Sequence, residues 1–298
     1  MAFKIKYMKR ELPYLINIPP FMLKGLEDKK ISFLKKASLI IGGKIVSLII
    51  KNINGRIFCL FMNLLFKNDG NIKFTNGLYF KILKNNKYIY FPNKRILRVL
   101  RNSDLHFERL LSSYSLDHIE FYDGDVVVDC GANVGELYLA LSRDTNNLKY
   151  YAFEPDKNAY ECCILNTSKN SIIYNIGLSN KSENIDFFMD SMGGNSSAIA
   201  FGENEKVTIQ VEKLDNIKTE NNIKLLKVEA EGFEPEVLEG AVETLKKVQY
   251  VAVDFGPERG HEQKDTIIEV NNFLLKNDFH LIKFEINRIT GLYVKLSR

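Results

Sequence analysis

The 298-residue chain is long enough for one large domain or two, and 45% hydrophobic with 26% charged residues is the composition of a globular protein with a sizeable core. A formal net charge of +4 is too small to indicate the basic surface of a nucleic-acid-binding domain, so we expect no nucleic acid partner. Lys44 and Lys51 interrupt the densest apolar stretch, so it falls short of the roughly twenty uninterrupted apolar residues that a membrane-spanning helix needs.

The cysteines indicate a reducing compartment. Cys59, Cys130, Cys162 and Cys163 form no C-x-x-C pair and have no histidine at zinc-binding spacing, so we expect reduced core thiols. Near the amino terminus, lysines are followed by prolines rather than by the apolar core and cleavage site of a signal peptide. We therefore expect a cytoplasmic protein, and the spacing of the acidic residues identifies no metal site.

The first hundred residues form a predicted extension of helices and a hairpin. Residues 31–66 are apolar with regular lysines, which indicates amphipathic helices that either pack on the rest of the chain or lie on the inner face of a membrane as a peripheral anchor. A hairpin is predicted over 77–92 with its turn at Asn85-Asn86, and a helix over 95–113. We place the domain boundary near Asn102, giving an extension at 1–102 and a second domain at 103–298.

The stretch around which the second domain is organised is VVVDCGANVG, residues 126–135. Three valines predict a buried strand, and Asp129, Gly131, Asn133 and Gly135 follow at its exit, before a helix predicted over 134–142. Glycines let a backbone pass close to a ligand, and the amides of a first helical turn attract an anionic group. This stretch therefore predicts a binding site for the anionic part of a ligand.

The next strand, residues 150–153, ends at Glu154, where an acid can accept both hydroxyls of a ribose. Together the two stretches predict a nucleoside with an anionic tail. Asn133 stands at the middle glycine position of a dinucleotide fingerprint, which disfavours NAD and FAD. A nicotinamide-dependent oxidoreductase is kept as the alternative enzyme.

From residue 125 onward, strands and helices alternate, which predicts an α/β fold with a mostly parallel sheet. The predicted elements are a helix at 156–169, strands at 172–177, 184–189 and 207–211, a fourth parallel strand carrying 225–234, a helix at 235–248, a strand at 249–254, a helix at 264–277, and a closing antiparallel pair at 279–286 and 291–296. Gly177 and Leu178 are expected to line the base of the nucleoside, adenine in an adenosine ligand, because backbone and apolar contacts suit a purine face. The polar loop 191–197 is either a substrate lid or an ordinary surface loop.

The second informative stretch is LLKVEAEGFE, residues 225–234. Alternation along a strand puts Lys227, Glu229 and Glu231 on one side. Acidic groups in a buried strand are costly unless they are paired or used, so we expect both glutamates to face the ligand crevice and Lys227 to pair with one of them. The structural alternative, an ion pair without function, stays open here.

Four blocks in order resemble the FkbM family of methyltransferases: VVVDCGANVG, AFEPDKNAY, LDNI at 214–217 and LLKVEAEGFEPEVLEGA. The resemblance covers about residues 125–256. Two departures stand out, since Glu229 occurs where the family usually has aspartate, and residues 253–256 read VDFG where the family often has Glu-hydrophobic-His. The longer acid at 229 keeps the charge and shifts its reach.

The resemblance implies a Rossmann-like class I methyltransferase sheet with one reversed strand near the carboxyl terminus. It also implies S-adenosylmethionine as cofactor, with the loop from Asp129 to Gly135 holding the methionine portion and Glu154 the ribose. Oxygen methylation of a small molecule or a sugar is the implied reaction, for which Glu229, Glu231 and Asp254 are the candidate bases. Glu229 is alternatively a partner of the cofactor's ammonium group.

Two further residues have open roles. His261 either reaches the acceptor or is a solvated loop residue, and Asp215 either positions a substrate loop or caps a turn. A third function class, a non-catalytic membrane adaptor with a vestigial cofactor site, also stays open, and the sequence indicates no oligomeric state.

Overall fold

The computed structural model describes residues 33–84, 86–189, 205–259 and 262–296. The chain forms two compact units. The smaller comprises the described residues up to Lys87 together with Ile96–Asn102, and the larger comprises Tyr88–Arg95 with the described residues from Ser103 onward. The polar loop at 191–197 and His261, both singled out from the sequence, lie outside the described residues.

Helices cover the described part of the predicted amphipathic region in the smaller unit. Its elements are α1 (Phe33–Asn52), α2 (Gly55–Leu65), β1 (Ile72–Thr75) and β2 (Leu78–Ile82). The Asn63 side chain bonds both the amide and the carbonyl of Ile72, at 3.0 and 2.8 Å, which fixes α2 on β1. Exposed apolar side chains remain on α2, among them Ile57 and Leu64. No helix of the described residues is long and apolar enough to cross a membrane, and the choice between core packing and membrane contact stays a prediction.

The turn of the predicted hairpin forms at the expected place. Asn86 has φ +60°, in the left-handed region that asparagine tolerates, and its amide donates to Leu83 O at 3.0 Å. Strand β2 precedes the turn and β3 (Tyr88–Phe91) follows it. Asn85 itself is not among the described residues.

The single helix predicted over 95–113 is wrong. A 3₁₀ helix at Lys94–Val99 is followed by a separate helix, α3 (Ser103–Ser113). The buried ammonium of Lys81 donates to the carbonyls of Val99 and Leu100 at 2.5 and 3.1 Å. In a continuous helix these carbonyls would accept from the amides four residues onward. A lysine from β2 therefore takes the acceptors that continuation of the helix requires.

The larger unit is a Rossmann-like α/β fold, as predicted. Within the described residues its main sheet has the strand order β12-β13-β11-β10-β4-β5-β6, in which β13 alone runs against its neighbours. The elements are β4 (Val126–Cys130), α4 (Glu136–Leu141), β5 (Lys149–Phe153), α5 (Lys157–Asn166), β6 (Ile172–Tyr174), β7 (Gly177–Leu178), β8 (Glu183–Met189), β9 (Glu205–Glu212), β10 (Ile223–Val228), α6 (Glu234–Glu239), α7 (Val242–Leu245), β11 (Val248–Asp254), α8 (Ile267–Lys276), β12 (Phe279–Glu285) and β13 (Thr290–Lys295).

The core lies around the central strands. All five residues of β4 are buried, which agrees with a strand covered on both faces by helices. Strands β8 and β9, both predicted from the sequence, pair antiparallel, and β7 joins them in a second small sheet. The predicted strand 172–177 is therefore divided, since Ile172–Tyr174 belongs to the main sheet and Gly177 to the small one.

The helix predicted over 235–248 is also divided, at Gly240. A Cβ at this glycine would lie 2.0 Å from the carbonyl oxygen of Ser179, so the neighbouring backbone allows no side chain. The second segment, α7, is capped by Asp215, whose Oδ1 accepts the Thr244 amide at 2.7 Å and whose Oδ2 accepts the Glu243 amide at 3.0 Å. The structure thus places Asp215 as a helix cap.

We expect Asp215→Ala to lower the free energy of unfolding by about 1–2 kcal/mol, because loss of an amino-terminal cap leaves helix amides unsatisfied. Urea denaturation measures this. Asp215→Asn keeps one acceptor for Thr244, so its free energy of unfolding should fall by less than that of the alanine variant. Equal midpoints for wild type and Asp215→Ala would show that the cap does not stabilise the fold.

Candidate active site

The glycine-rich loop after β4 is shaped by a neighbouring strand. Gly131 has φ +73°, and a Cβ there would lie 2.0 Å from the carbonyl oxygen of Glu229. Gly135 has φ +80°, and a Cβ there would meet Cys163 Sγ at 3.1 Å. The pattern predicted from the sequence is therefore required by close backbone approach at one glycine and by contact with α5 at the other.

The amides of this loop are bonded within the protein. The amides of Gly131 and Ala132 donate to the carbonyl oxygen of Phe153. The Asn133 amide donates to the Glu154 carboxylate, and the Gly135 amide donates to the carbonyl oxygen of Ala132. Helix α4 begins at Glu136, two residues later than predicted. The loop therefore offers a ligand its close backbone and its neighbouring carboxylates rather than free amides at these positions.

Glu154 fixes the loop to the end of β5. Its Oε2 accepts the Asn133 amide at 2.7 Å, and its Oε1 accepts the Asp156 amide at 2.9 Å. Burial raises the pKa of this carboxyl to about 7, although the two amide donors oppose the shift. Each oxygen of a carboxylate has a second lone pair, so Glu154 can still accept a hydroxyl group.

Behind the loop lies a buried ionic cluster centred on Lys227. Residues 227 and 129 are partners in the parallel pairing of β10 and β4. The Lys227 ammonium lies 3.0 Å from Asp129 Oδ1 and 2.9 Å from Glu229 Oε2, and it donates to Gly131 O at 2.8 Å. Asp129 also accepts the hydroxyl of Tyr150. Asp129 is 1% exposed, so its direct partners are these two side chains.

Glu229 is the most heavily bonded carboxylate of the site. Besides Lys227, it accepts the Tyr114 hydroxyl at 2.7 Å and the guanidinium of Arg288. Burial would raise the pKa of Glu229, but the charges of Lys227 and Arg288 outweigh burial and hold it well below its usual range. Such a carboxylate is a weak proton acceptor.

Arg288 joins Glu229 to Asp254. Its Nε donates to Asp254 Oδ2 at 2.9 Å, and its guanidinium lies 4.5 Å from the centre of the Tyr114 ring. Asp254 is 6% exposed, at the carboxyl end of β11. Burial raises its pKa, with Arg288 opposing that shift.

Glu231 lies beside Glu258, a residue that the sequence reasoning missed. The two carboxyl groups lie close enough to perturb each other's pKa. Glu231 has φ +50°, a strained conformation for a residue other than glycine, of the kind found at functional sites. Burial and the charges of Glu258 and Glu229 raise the pKa of Glu231 to about 10.

The site residues predicted from the sequence fall into two groups. At the carboxyl ends of the central strands the structure brings together the loop from Asp129 to Gly135, Glu154, Glu229, Glu231 and Asp254. Gly177 and Leu178 lie in the small sheet, where Leu178 belongs to the hydrophobic core, and their adenine contact stays a prediction. Sequence reasoning missed Tyr114, Glu258 and Arg288.

In the described residues of this crevice, carboxyl groups outnumber cationic side chains. The carboxyl groups are Asp129, Glu154, Glu229, Glu231, Asp254 and Glu258, and the cations are Lys227 and Arg288. Burial is the main cause of the raised pKa of Glu154 and of Glu231, and at Glu231 the charges of Glu258 and Glu229 add to it. A ligand carrying positive charge is therefore favoured, and the sulfonium and ammonium groups of S-adenosylmethionine fit this set of residues.

A mostly parallel sheet with one reversed strand, a glycine loop after its first strand and an acid after the next is the arrangement of a Rossmann-like methyltransferase. The family model for the methyltransferase FkbM domain matches residues 129–281. The chain belongs to the FkbM family of methyltransferases, which confirms the resemblance seen in the sequence. The nicotinamide-dependent alternative is wrong.

Among curated proteins, the chain is similar to the hexuronic acid methyltransferase AglP of Haloferax volcanii, with 26% identity over 170 residues, covering 55% of this chain and 69% of that protein. Among solved structures, it is similar to a methyltransferase FkbM from Methylobacillus flagellatus, with 18% identity and a TM-score of 0.45. That match covers 64% of this chain and 50% of the other. Magnesium protoporphyrin IX methyltransferase of Synechocystis, with bound SAM, matches at 10% identity and a TM-score of 0.39, covering 65% of this chain and 79% of the other.

Proposed function

We propose that the protein transfers a methyl group from S-adenosylmethionine to a hydroxyl group of a saccharide or related small molecule. The observation that supports the proposal best is the placement of Glu154 against the Gly131–Gly135 loop, beside a crevice with surplus carboxyl groups. This arrangement provides an acceptor for ribose hydroxyls and a favourable field for a cationic cofactor.

Each part of the site has a task in this reaction. Glu154 accepts the ribose hydroxyls, the loop lies along the cofactor, and Glu229 with its neighbours faces the ammonium group. When bound, S-adenosylmethionine supplies a methyl group on a sulfonium, which is an activated leaving group. The protein then has to align the acceptor oxygen and exclude water, and such positioning is worth about 7–11 kcal/mol.

The saccharide acceptor is supported by the relative from Haloferax volcanii, whose name gives a hexuronic acid as its substrate. A hexuronic acid offers two kinds of oxygen, hydroxyl groups and a carboxylate. Methylation of the first gives an ether that survives mild alkali, whereas methylation of the second gives an ester that mild alkali hydrolyses. Transfer of isotope-labelled methyl to methyl glucuronosides, followed by mild alkali, separates the two. An alkali-stable label supports the proposal, while a labile label or no transfer to saccharides contradicts it.

We expect Glu154→Gln to weaken binding of S-adenosylmethionine about tenfold to a hundredfold, since hydrogen bonds to charged groups contribute about 1.5–3 kcal/mol. Isothermal titration calorimetry measures the dissociation constant. Glu161→Gln, the same chemical change at an exposed position of α5, is the matched control and should bind like wild type. Equal affinity of both variants would contradict the assignment of Glu154 to the cofactor.

A further inference from the structure

Two turns at the carboxyl ends of β10 and β11 are tightly fixed. Glu234 Oε1 accepts the amides of Ala230 and Gly232 at 2.9 and 3.1 Å, so its carboxylate organises the first turn. Arg259, from the second turn, donates to Gly232 O at 2.6 Å and forms a two-pronged ion pair with Glu236 at 2.6 and 2.9 Å. These bonds hold the two turns against each other.

The fixed turns bring the carboxyl groups of Glu231 and Glu258 close enough to shift each other's pKa, and both residues are half-buried. A Cβ at Gly256 would lie 3.3 Å from Glu258 Oε1 and 3.3 Å from Asp254 Oδ1, so these carboxyl groups border the same glycine. Two carboxyl groups in such contact hold one proton between them near neutral pH.

We expect the shared proton on Glu231. Burial and the charges of Glu258 and Glu229 raise the pKa of Glu231 to about 10. Burial also raises the pKa of Glu258, as do the charges of Asp254 and Glu229, while Glu231 and the charge of Arg288 oppose the rise. Glu258 is then the ionised member of the pair and more basic than an ordinary glutamate.

The other acids of the site are less suited to accept a proton. Glu229 is saturated by Lys227, Tyr114 and Arg288. Asp254 accepts from Arg288 Nε at 2.9 Å and from the Gly256 amide at 3.0 Å. Glu231 is expected to hold the shared proton. Glu258 is half-buried and forms no ion pair within the described residues.

We propose that Glu258 is the general base that removes the proton of the acceptor hydroxyl, and that Glu231 is a positioning residue that holds the Glu258 carboxylate by a hydrogen bond. The inference rests on the proposed function. In the step, the acceptor oxygen forms a bond to the methyl carbon, the carbon–sulfur bond breaks with its electron pair remaining on sulfur, and the hydroxyl proton passes to Glu258.

The test compares Glu258→Gln with Glu231→Gln, using labelled S-adenosylmethionine and methyl glucuronosides. Glu258→Gln should lower kcat at least about a hundredfold, the scale of general-base catalysis, while S-adenosylhomocysteine binds within about twofold of wild type. Glu231→Gln keeps a hydrogen-bond donor to Glu258, so its kcat should fall by less than about tenfold. Glu262→Gln, whose carboxylate is exposed and paired with Lys264, should leave kcat unchanged. Equal losses at 231 and 258, or a greater loss at 231, would overturn the assignment.

The pH profile gives a second readout. In wild type and in Glu231→Gln, kcat should rise as the pH is raised through the pKa of Glu258, and in Glu258→Gln this rise should disappear.

Infrared spectra of the cofactor-free protein at neutral pH give a third readout, which does not depend on turnover. A protonated-carboxyl band should be lost in Glu231→Gln and retained in Glu258→Gln, and the reverse result would overturn the proposal.

These outcomes separate the two levels of inference. If wild type methylates the glucuronoside and Glu258→Gln retains its kcat, the assignment of the base is wrong and the proposed function stands. An alkali-labile product formed equally by both proteins contradicts both the hydroxyl acceptor and the assignment of the base, because a carboxylate acceptor needs no base. No transfer by wild type to any glucuronoside, with cofactor bound, overturns both.

Discussion

Replacing Gly131 with alanine is expected to destabilise the larger unit by about 2–5 kcal/mol. Two costs add here. An alanine at φ +73° is strained by about 1–2 kcal/mol. The new Cβ would also lie 2.0 Å from the carbonyl oxygen of Glu229, and relieving such an overlap costs typically about 1–3 kcal/mol. Because β4 and β10 are adjacent strands, the loop and Glu229 would both shift.

Gly124→Ala separates the two costs. Gly124 also has a positive φ, +93°, but a Cβ there would meet no described atom within 4 Å. The loss of stability in Gly124→Ala should therefore reflect backbone strain alone. Urea denaturation of both variants and wild type measures the difference, together with the affinity for S-adenosylmethionine. If the two variants were equally stable, the close approach of the Glu229 carbonyl would not be what demands a glycine at position 131.

The second large effect is expected for Lys227→Met, which should cost about 3–5 kcal/mol in the free energy of unfolding. The ammonium is the cation shared by Asp129 and Glu229, and Asp129 is 1% exposed. Methionine fills a similar volume, but it leaves the buried carboxylate of Asp129 with the Tyr150 hydroxyl as its remaining partner. Lys224→Met, on the same strand but only half-buried, is the matched control and should cost much less.

The deficit of Lys227→Met should grow with pH. In wild type, the depressed pKa of Glu229 contributes stability that is present above its unfolded pKa of about 4.3 and is lost as the pH falls through the folded value. In the variant, burial acts on Asp129 without the opposing charge of Lys227, so its raised pKa rises further. A group with a raised acidic pKa destabilises the fold as the pH rises. The variant should therefore lie closer to wild type at pH 4 than at pH 7, and a pH-independent deficit would contradict this account.

Local patterns predicted the centre of this site well. The valine run, the glycine spacing and Glu154 lie within one βαβ segment, so the residues that meet in space are close in sequence. The direction of Glu229 and Lys227 followed from strand alternation, and the pairing of Lys227 with Asp129 follows from the register of β10 on β4.

What the sequence did not reveal depends on distant contacts. Arg288 lies between the two strands of the predicted closing pair, yet it reaches Glu229 from 59 residues away. Tyr114 follows the helix predicted over 95–113, and it lies 115 residues from the carboxylate that it bonds. Lys81 ends a helical stretch 18 residues later by taking the carbonyl of Val99. No periodicity or spacing encodes such meetings, because strand order decides them.

The position of Arg288, on a turn near the carboxyl terminus, has a consequence for folding of the chain during its synthesis. A nascent chain that has reached β11 already contains Glu229 and Asp254 but still lacks the guanidinium that joins them. The cation that links Glu229 to Asp254 is thus supplied only once the β12–β13 hairpin has been synthesised and has docked. A fragment trimmed to residues 129–281, the span of the family match, would omit Tyr114 and Arg288, so that Glu229 would keep Lys227 but Asp254 would lose its guanidinium.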